Sequence, residues 1–227
     1  MRRDDPILET WSYTAGKTHV FSVMPDGCRD LIIKREPGRP QRLFVSRLMS
    51  TPEKIFVQKG ATYLGVRLKP GAVITAHLFE TFPQPDSMQG LTEWACNSVV
   101  MTVDVSEMMR CLAVAATPAT AASDLGVSLR TLQRHTVKTT GRTPGFWRRL
   151  ARARRAARCI LSGARLHETA HECLFSDQAH MTRELKSWFA MTPGELASSR
   201  NNKNHPAWNI CLQGYDAPVT GEHISTR

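Results

Sequence analysis

Long apolar runs are missing from this 227-residue sequence: none approaches the roughly 20 residues that a membrane-crossing helix needs. Two arginines open the N-terminus, MRRDDPILETWSY, but acids follow at once and no apolar segment comes behind them, so no secretion signal is read and the cytoplasm is expected. Close cysteine spacing is missing too. Cys28, Cys96, Cys111, Cys159, Cys173 and Cys211 lie far apart with no C-x-x-C among them, which predicts reduced, packed thiols and no zinc site. There is no H-x-H pair for a cupin-like metal centre, and no Ser-His-Asp set, paired carboxylates or phosphate-binding loop stands out. The expectation is a protein without metal or cofactor that is not an enzyme.

Acid is absent from one region in particular. Residues 142–165 hold eight arginines (Arg142, Arg148, Arg149, Arg152, Arg154, Arg155, Arg158, Arg165) and neither Asp nor Glu. Solvated helix faces normally interleave both signs for i,i+4 pairing. The whole chain carries +10, with most of the excess between 104 and 200, and a polyanion is the expected partner.

A composition of 41% hydrophobic and 22% charged residues is that of a globular protein, and the length suits two small domains. The front half reads as strands: FSVMP, RDLIIKRE, QRLFVSRLM, EKIFVQ and TYLGVRLK are short and rich in Val, Ile, Leu and Phe, with turn material between them. Leu64, Val66 and Leu68 alternate with Tyr63, Gly65 and Arg67. Beyond Gly71, GAVITAHLF and LTEWACNSVV read as short helices around a turn-rich connector, ETFPQPDSMQG. Asp104 and Glu107 have capping-box spacing ahead of Val105, Met108, Met109 and Leu112. Thr-Pro at 117–118, 143–144 and 192–193 places a capping threonine before a proline at the first helical position, and Glu195 completes a box at the last. The fold class is therefore α+β: a small antiparallel β-rich domain over 1–103, an all-α domain over 104–200, and a loosely held tail over 201–227.

The all-α part repeats itself. In the first copy Pro118–Leu125 form a helix with small Ala122, Gly126 turns the chain, Val127 plugs the turn, Ser128 caps, and Leu132 and Thr136 face inward. Arg130, Thr131, Gln133, Arg134 and Lys138 are left outward, as entry into a major groove requires. The second copy has Ala170, a turn at Leu174-Phe175, a cap at Ser176 and a buried stripe of Met181, Leu185 and Phe189. Asp177, Gln178, His180, Arg183 and Lys186 are its outward candidates. Ala122 to Ala170 is 48 residues and Pro144 to Pro193 is 49, so one extra residue precedes the second stripe. The helix from Pro144 to about Leu161 links the copies, burying Phe146, Leu150, Ala153, Ala157 and Ile160 and leaving Arg148, Arg152 and Arg155 outside. At about 27 Å it suits two recognition helices set near the roughly 34 Å between successive major grooves.

ASDLGVSLRTLQRHTVKTTGRTPGFWRRLARARRA and ETAHECLFSDQAHMTRELKSWFAMTPGEL together resemble the double helix-turn-helix domain of the AraC/XylS family of bacterial transcription regulators. MPDGCRDLIIK and GVRLKPGA resemble a poorly characterised domain found ahead of that module. The resemblance implies a nucleoid-associated regulator binding double-stranded promoter DNA, with Arg130, Gln133 and Arg134, then Gln178, His180 and Arg183, reaching bases. Arg148, Arg152, Thr131, Lys138, Asp177 and Lys186 complete the expected DNA-binding set. RNA polymerase, a homodimer and a small-molecule effector are the further partners it leaves open, and activation is not distinguished from repression. The sequence departs from the family at Leu174 and Ala190, where glycine is usual, and at Thr136, where a large apolar residue is. A left-handed leucine costs on the order of 1 kcal/mol, so a different second turn is expected.

Two other classes compete: an architectural DNA protein binding by charge alone, and a methyl-repair enzyme fused to a helix-turn-helix module, suggested by GCRD at 27–30. The latter needs four zinc-ligating cysteines, and the strand region has only Cys28. The front domain is expected to supply effector response, dimerisation, or both.

Overall fold

The computed structural model describes residues 2–75, 85–202, 205–211 and 214–215. Its front half is built of strands β1 (Arg3–Asp4), β2 (Ile7–Thr14), β3 (His19–Val23), β4 (Arg29–Arg35), β5 (Arg42–Val45), β6 (Glu53–Val57), β7 (Thr62–Leu68) and β8 (Val73–Ile74). Helix α1 (Met88–Ser98) and strand β9 (Val99–Thr102) complete it. All pairings are antiparallel: β2-β7-β4-β5 form one sheet, β1-β9-β8 a second, and β3-β6 a two-stranded ribbon. The α+β class holds.

The alternation in β7 is realised on both faces. Leu64, Val66 and Leu68 join Leu31 and Ile33 of β4 beneath Leu91, Trp94 and Ala95 of α1. On the other face the Trp11 ring crosses Gly65 so closely that a Cβ there would lie 2.1 Å from it, which only glycine allows. Trp11 Nε1 donates to Asp30 at 2.8 Å, and Arg67 pairs with Glu9 (3.0 Å), Asp30 (3.1 Å) and Asp26 (3.4 Å). Buried charge is tolerated here because each guanidinium edge meets an acid.

Three expectations for the front half need correction. Strand β2 lies in the opening segment, where none was expected. LTEWACNSVV divides into the end of α1 and strand β9, because after Ser98 the chain extends to pair with β1 and β8. GAVITAHLF contains the two-residue strand Val73–Ile74; its remainder from residue 76 and residues 80–84 of the expected connector lie outside the described residues, and the connector's last three residues, 88–90, open α1.

Helix α2 (Val103–Val114) follows β9 directly, and Thr102, not Asp104, is its cap, accepting from Val105 N–H at 3.4 Å. The hydroxyl at the end of the strand is already placed where the first turn begins, so Asp104 falls inside that turn. Val105, Met108, Met109 and Leu112 are buried as their spacing predicts. The remaining elements are α3 (Pro118–Asp124), α4 (Leu129–Thr140), α5 (Pro144–Ser162), α6 (Leu166–Glu172), α7 (Gln178–Phe189), α8 (Pro193–Ser198) and two short 3-10 turns, Ser199–Asn201 and Pro206–Cys211. One cluster of buried side chains centred on α5 runs through them all. The segment expected as a loose tail contributes to it: Ala207, Ile210 and Tyr215 are buried, and Tyr215 O–H donates to Met109 carbonyl at 2.8 Å. Apolar side chains spaced within a short turn pack against α5, with Tyr215 on Trp147 in its first turns, which the reading for long-range periodicity missed. Residues 216–227 lie outside the described residues. Among the described residues no helix is long and apolar enough to cross a membrane.

Candidate nucleic-acid interface

Thr117 accepts from Thr120 N–H at 3.0 Å and Pro118 opens α3. Gly126, at φ +65°, ends it, and two backbone bonds close the turn: Gly126 N–H to Ser123 carbonyl (3.0 Å) and Val127 N–H to Ala122 carbonyl (2.9 Å). Ser128 then caps α4, accepting from Thr131 N–H at 3.1 Å. Leu132, Thr136 and Thr140 form the inward stripe. The hydroxyl of Thr136 donates to Leu132 carbonyl at 2.7 Å, so the departure from a large apolar residue leaves no unpaired polar group in the core. Thr140 Oγ accepts from Trp147 Nε1 at 2.8 Å, tying the end of α4 to α5. Val127 is not the plug expected: it stays 39% exposed.

The second motif reproduces the first bond for bond. Leu174 takes φ +59°, with Leu174 N–H to His171 carbonyl at 3.0 Å and Phe175 N–H to Ala170 carbonyl at 2.9 Å. The expectation of a different turn geometry is overturned; leucine adopts the conformation glycine has in the first. Ala190 does the same at φ +55° where Gly141 stands at +71°. The offset is 48 residues up to Ser176 and 49 from the cap onward. Consequently Asp177, not Ser176, caps α7, accepting from His180 N–H at 2.6 Å. Ser176 instead faces the His180 ring, Oγ to Nδ1 3.1 Å. The Asp177 carboxyl is held below the usual range, first by that N–H, then by Ser176 and Arg183.

On α4 the five expected residues, Arg130, Thr131, Gln133, Arg134 and Lys138, are all exposed, and Leu129 and Val137 are exposed beside them. Exposed apolar side chains of this kind can meet a thymine methyl group; reading for polar residues passed them over. On α7 Gln178, Arg183 and Lys186 are exposed. His180 is half-buried, its ring edge-on to Phe175 at 5.4 Å and its Nε2 3.4 Å from Arg152. The inserted residue puts Ala179 and Thr182, not Gln178 and His180, at the places of Arg130 and Gln133, so His180 leans back on the turn and Asp177 is spent as a cap.

The arginines of α5 need the largest correction. Arg152 is buried: its guanidinium lies 4.5 Å over the Phe175 ring, donates to Leu174 carbonyl at 3.1 Å and pairs with Glu184 at 3.4 Å. Arg154 is fully buried and donates to Pro25 carbonyl at 3.2 Å, reaching into the front half. Arg148 and Arg155 are half-buried, and Arg149 is exposed. Desolvation, then Arg152 nearby, lowers the Arg148 pKa. Packing against α2, α7 and α8 leaves this helix only a narrow outer face, and the long stems of its arginines let them reach carbonyls, rings and acids at its edges.

The Pro25-Asp26-Gly27 turn seats against α5. Gly27, at φ +80°, lies so close to Tyr215 that a Cβ would come within 2.6 Å of its side chain, and Trp147 stacks edge-on to Tyr215 at 5.0 Å. Cys28 is buried, and desolvation with Asp26 beside it pushes its thiol well up, the opposite of a nucleophile's environment. Near the C-terminal end of α4 an open cleft of about 410 Å³ is lined by Arg29, Arg47, Leu48, Thr140 and Arg142 among others. No group of three or more His, Cys, Asp or Glu that could hold a metal occurs among the described residues.

A family model described as a helix-turn-helix domain matches residues 121–199, and one described as a domain of unknown function (DUF6597) matches residues 7–81. No curated protein matches the chain. Among solved structures, an AraC-type DNA-binding domain-containing transcriptional regulator from Chromobacterium violaceum is 24% identical over 44% of this chain and 89% of its own, with a TM-score of 0.38. ToxT from Vibrio cholerae O395 is 9% identical over 86% of this chain and 98% of its own, at 0.46. The unsaturated fatty acid bound ToxT of Vibrio cholerae strain SCE256 is 9% identical over 87% and 96%, at 0.43.

Proposed function

We propose that this protein, a transcriptional regulator whose C-terminal region is an AraC-type helix-turn-helix domain, reads promoter DNA with α4 and α7 in successive major grooves. The observation that carries this reading is the repeated backbone: the same turn bonds, the same left-handed residue and a capped helix of twelve residues in each copy, with polar side chains facing out. In α4 Arg130, Gln133 and Arg134 are the base readers, with Thr131 and Lys138 toward phosphate. In α7 Arg183 is the principal reader, supported by Gln178, Thr182 and Lys186. An Arg or Gln in bidentate contact with a base edge contributes about 1–3 kcal/mol of discrimination. Three base readers on α4 against one principal reader on α7 make the first helix the main source of specificity.

The domain division at 103/104 is part of the proposal, and the cleft beside the C-terminal end of α4 is its place for a small-molecule effector. The competing reading, binding by charge alone, is weakened by the burial of Arg152 and Arg154, which removes them from the cationic face it requires. Binding-site selection from random DNA tests the proposal. The wild-type protein should enrich a two-part motif spaced by about one helical turn, and Arg134→Ala should lose preference at one position of one part. Equal affinity for random and selected DNA across a salt titration would hand the case to charge alone.

A further inference from the structure

Among the described residues, the cleft between the front half and the end of α4 is lined by cations and by no acid. Arg29 and Arg47 form its front-half wall and Arg142 stands opposite; a smaller recess behind it shares Arg29, Leu48 and Thr140 and adds Lys69. Local bonds bring these groups together. Asp30, next along β4 from Arg29, turns to the other face of the sheet, where Arg67 and Trp11 take it. Its N–H donates to Ser46 Oγ at 2.7 Å and its carbonyl accepts from Ser46 N–H at 2.8 Å, so the chain after β5 lies beside the start of β4 and Arg47 shares a wall with Arg29. Across the cleft, Arg142 N–H donates to Thr140 Oγ at 3.1 Å, and the Arg142 guanidinium lies 5.0 Å over the Phe146 ring.

The charges do not cancel. Arg47 meets Glu53 at 2.9 Å and Lys69 meets Asp4 at 3.7 Å, whereas Arg29 and Arg142, both exposed, have no acid partner among the described residues.

We propose that this cleft binds a small phosphate dianion, its head held between Arg29 and Arg142, so that the ligand ties the front half to the first helix-turn-helix motif.

This names the ligand class for the cleft read above as the effector's place, and it rests on that reading. Two unopposed positive charges match a ligand carrying two negative ones, and a guanidinium fork matches two oxygens of a phosphate. The recess of about 80 Å³ has room for roughly six water-sized groups at about 10–15 Å³ each. Leu68, Ile74 and Trp147 line it with Leu48. A compact body such as a pentose fits that space and a long acyl chain does not. Duplex DNA is the poorer occupant, because a recognition helix reads bases with its N-terminal residues and the cleft lies at the other end of α4, with the front-half sheet as one wall.

The test is isothermal titration calorimetry on the full-length protein at fixed ionic strength. Inorganic phosphate and ribose 5-phosphate are the dianion probes, with dimethyl phosphate and ribose as monoanionic and neutral controls. Both dianions should bind saturably and raise the melting temperature, and both controls should bind more weakly by on the order of tenfold. Tighter binding of ribose 5-phosphate assigns the ligand an organic body and equal binding assigns free phosphate; either supports the site. Arg29→Gln and Arg142→Gln should each weaken the dianions by on the order of tenfold. Arg39→Gln, in the turn at the far end of β4 and 67% exposed, should not. Dianion binding that survives both cleft substitutions overturns the proposal, as does a monoanion that binds equally well. So does a duplex without a selected site that displaces the phosphate and binds Arg29→Gln more weakly, which would make the cleft a DNA-backbone contact. Phosphate bound through both arginines with affinity for a selected DNA site unchanged supports the anion site and refutes only the effector reading. Absence of saturable binding by either dianion refutes the anion site and leaves the effector reading to another ligand.

Discussion

The guanidinium of Arg152 donates to the carbonyl of Leu174 at 3.1 Å, and Leu174 is the residue that holds the left-handed turn of the second motif. Strain and support thus sit on adjoining atoms. Glycine meets the same requirement in the first motif without help; the second uses leucine and an arginine from the linker helix beneath it.

Arg152→Met should therefore cost about 1–3 kcal/mol, because Leu174 carbonyl and Glu184 both lose a charged donor. Urea unfolding measures the loss, and hydrogen exchange should place it at residues 173–180. Protection of the α7 half of a selected DNA site should weaken while the α4 half is retained.

Ala190→Gly should stabilise. Relief of ~1–2 kcal/mol of left-handed strain outweighs ~0.4–1 kcal/mol of added unfolded-state entropy, for a net gain of up to about 1.5 kcal/mol, read as a rise in the urea midpoint. Gly141→Ala should do the reverse at the equivalent position of the first motif.

His180→Ala and Arg183→Ala separate a buttress from a reader. The first should lower stability and leave the selected DNA motif unchanged; the second should leave stability nearly unchanged and relax one base position. A selection experiment with both variants decides, and a changed motif for His180→Ala would return that residue to the groove.

Acid should loosen the second motif and the helix after it. Asp177 is held below its ordinary pKa chiefly by His180 N–H, and Glu195 chiefly by Thr192 N–H. A folded pKa below the unfolded one gives stability that is present above the unfolded value, roughly 4, and lost as pH falls through the folded value. Asp177→Asn keeps a good cap and removes the titration, so the gap between wild type and variant should close as urea midpoints are followed from neutral to acid pH.

Much of this was legible because local chemistry announces itself. Threonine before proline, glycine after a short helix and serine before a basic helix each satisfy a backbone need within four residues, and these features stand where the sequence puts them. The alternation of Leu64, Val66 and Leu68 was read for the same reason. Strand β2 was not, because ILETWSYT faces a polar network on one side, where Trp11 and Glu9 bond to Asp30 and Arg67, and period-two hydrophobicity disappears. Arg152 was placed outside, and the burial of Arg154 passed over, because a buried guanidinium needs remote carbonyls, rings and acids, which one sequence does not display side by side. The shift of the cap from Ser176 to Asp177 turned on one inserted residue that either neighbour could have absorbed.

The unlike outward faces have a consequence for orientation. Two heads with the same outward side chains would fit a repeated site in which the halves are interchangeable, whereas heads that hold Arg130 and Gln133 in one copy and Ala179 and Thr182 at the same places in the other would fit a site with a front and a back. Turning such a site end for end on a chromosome would point the β-rich half toward the opposite flank, so that the same DNA word, read backwards, would address a different neighbouring gene.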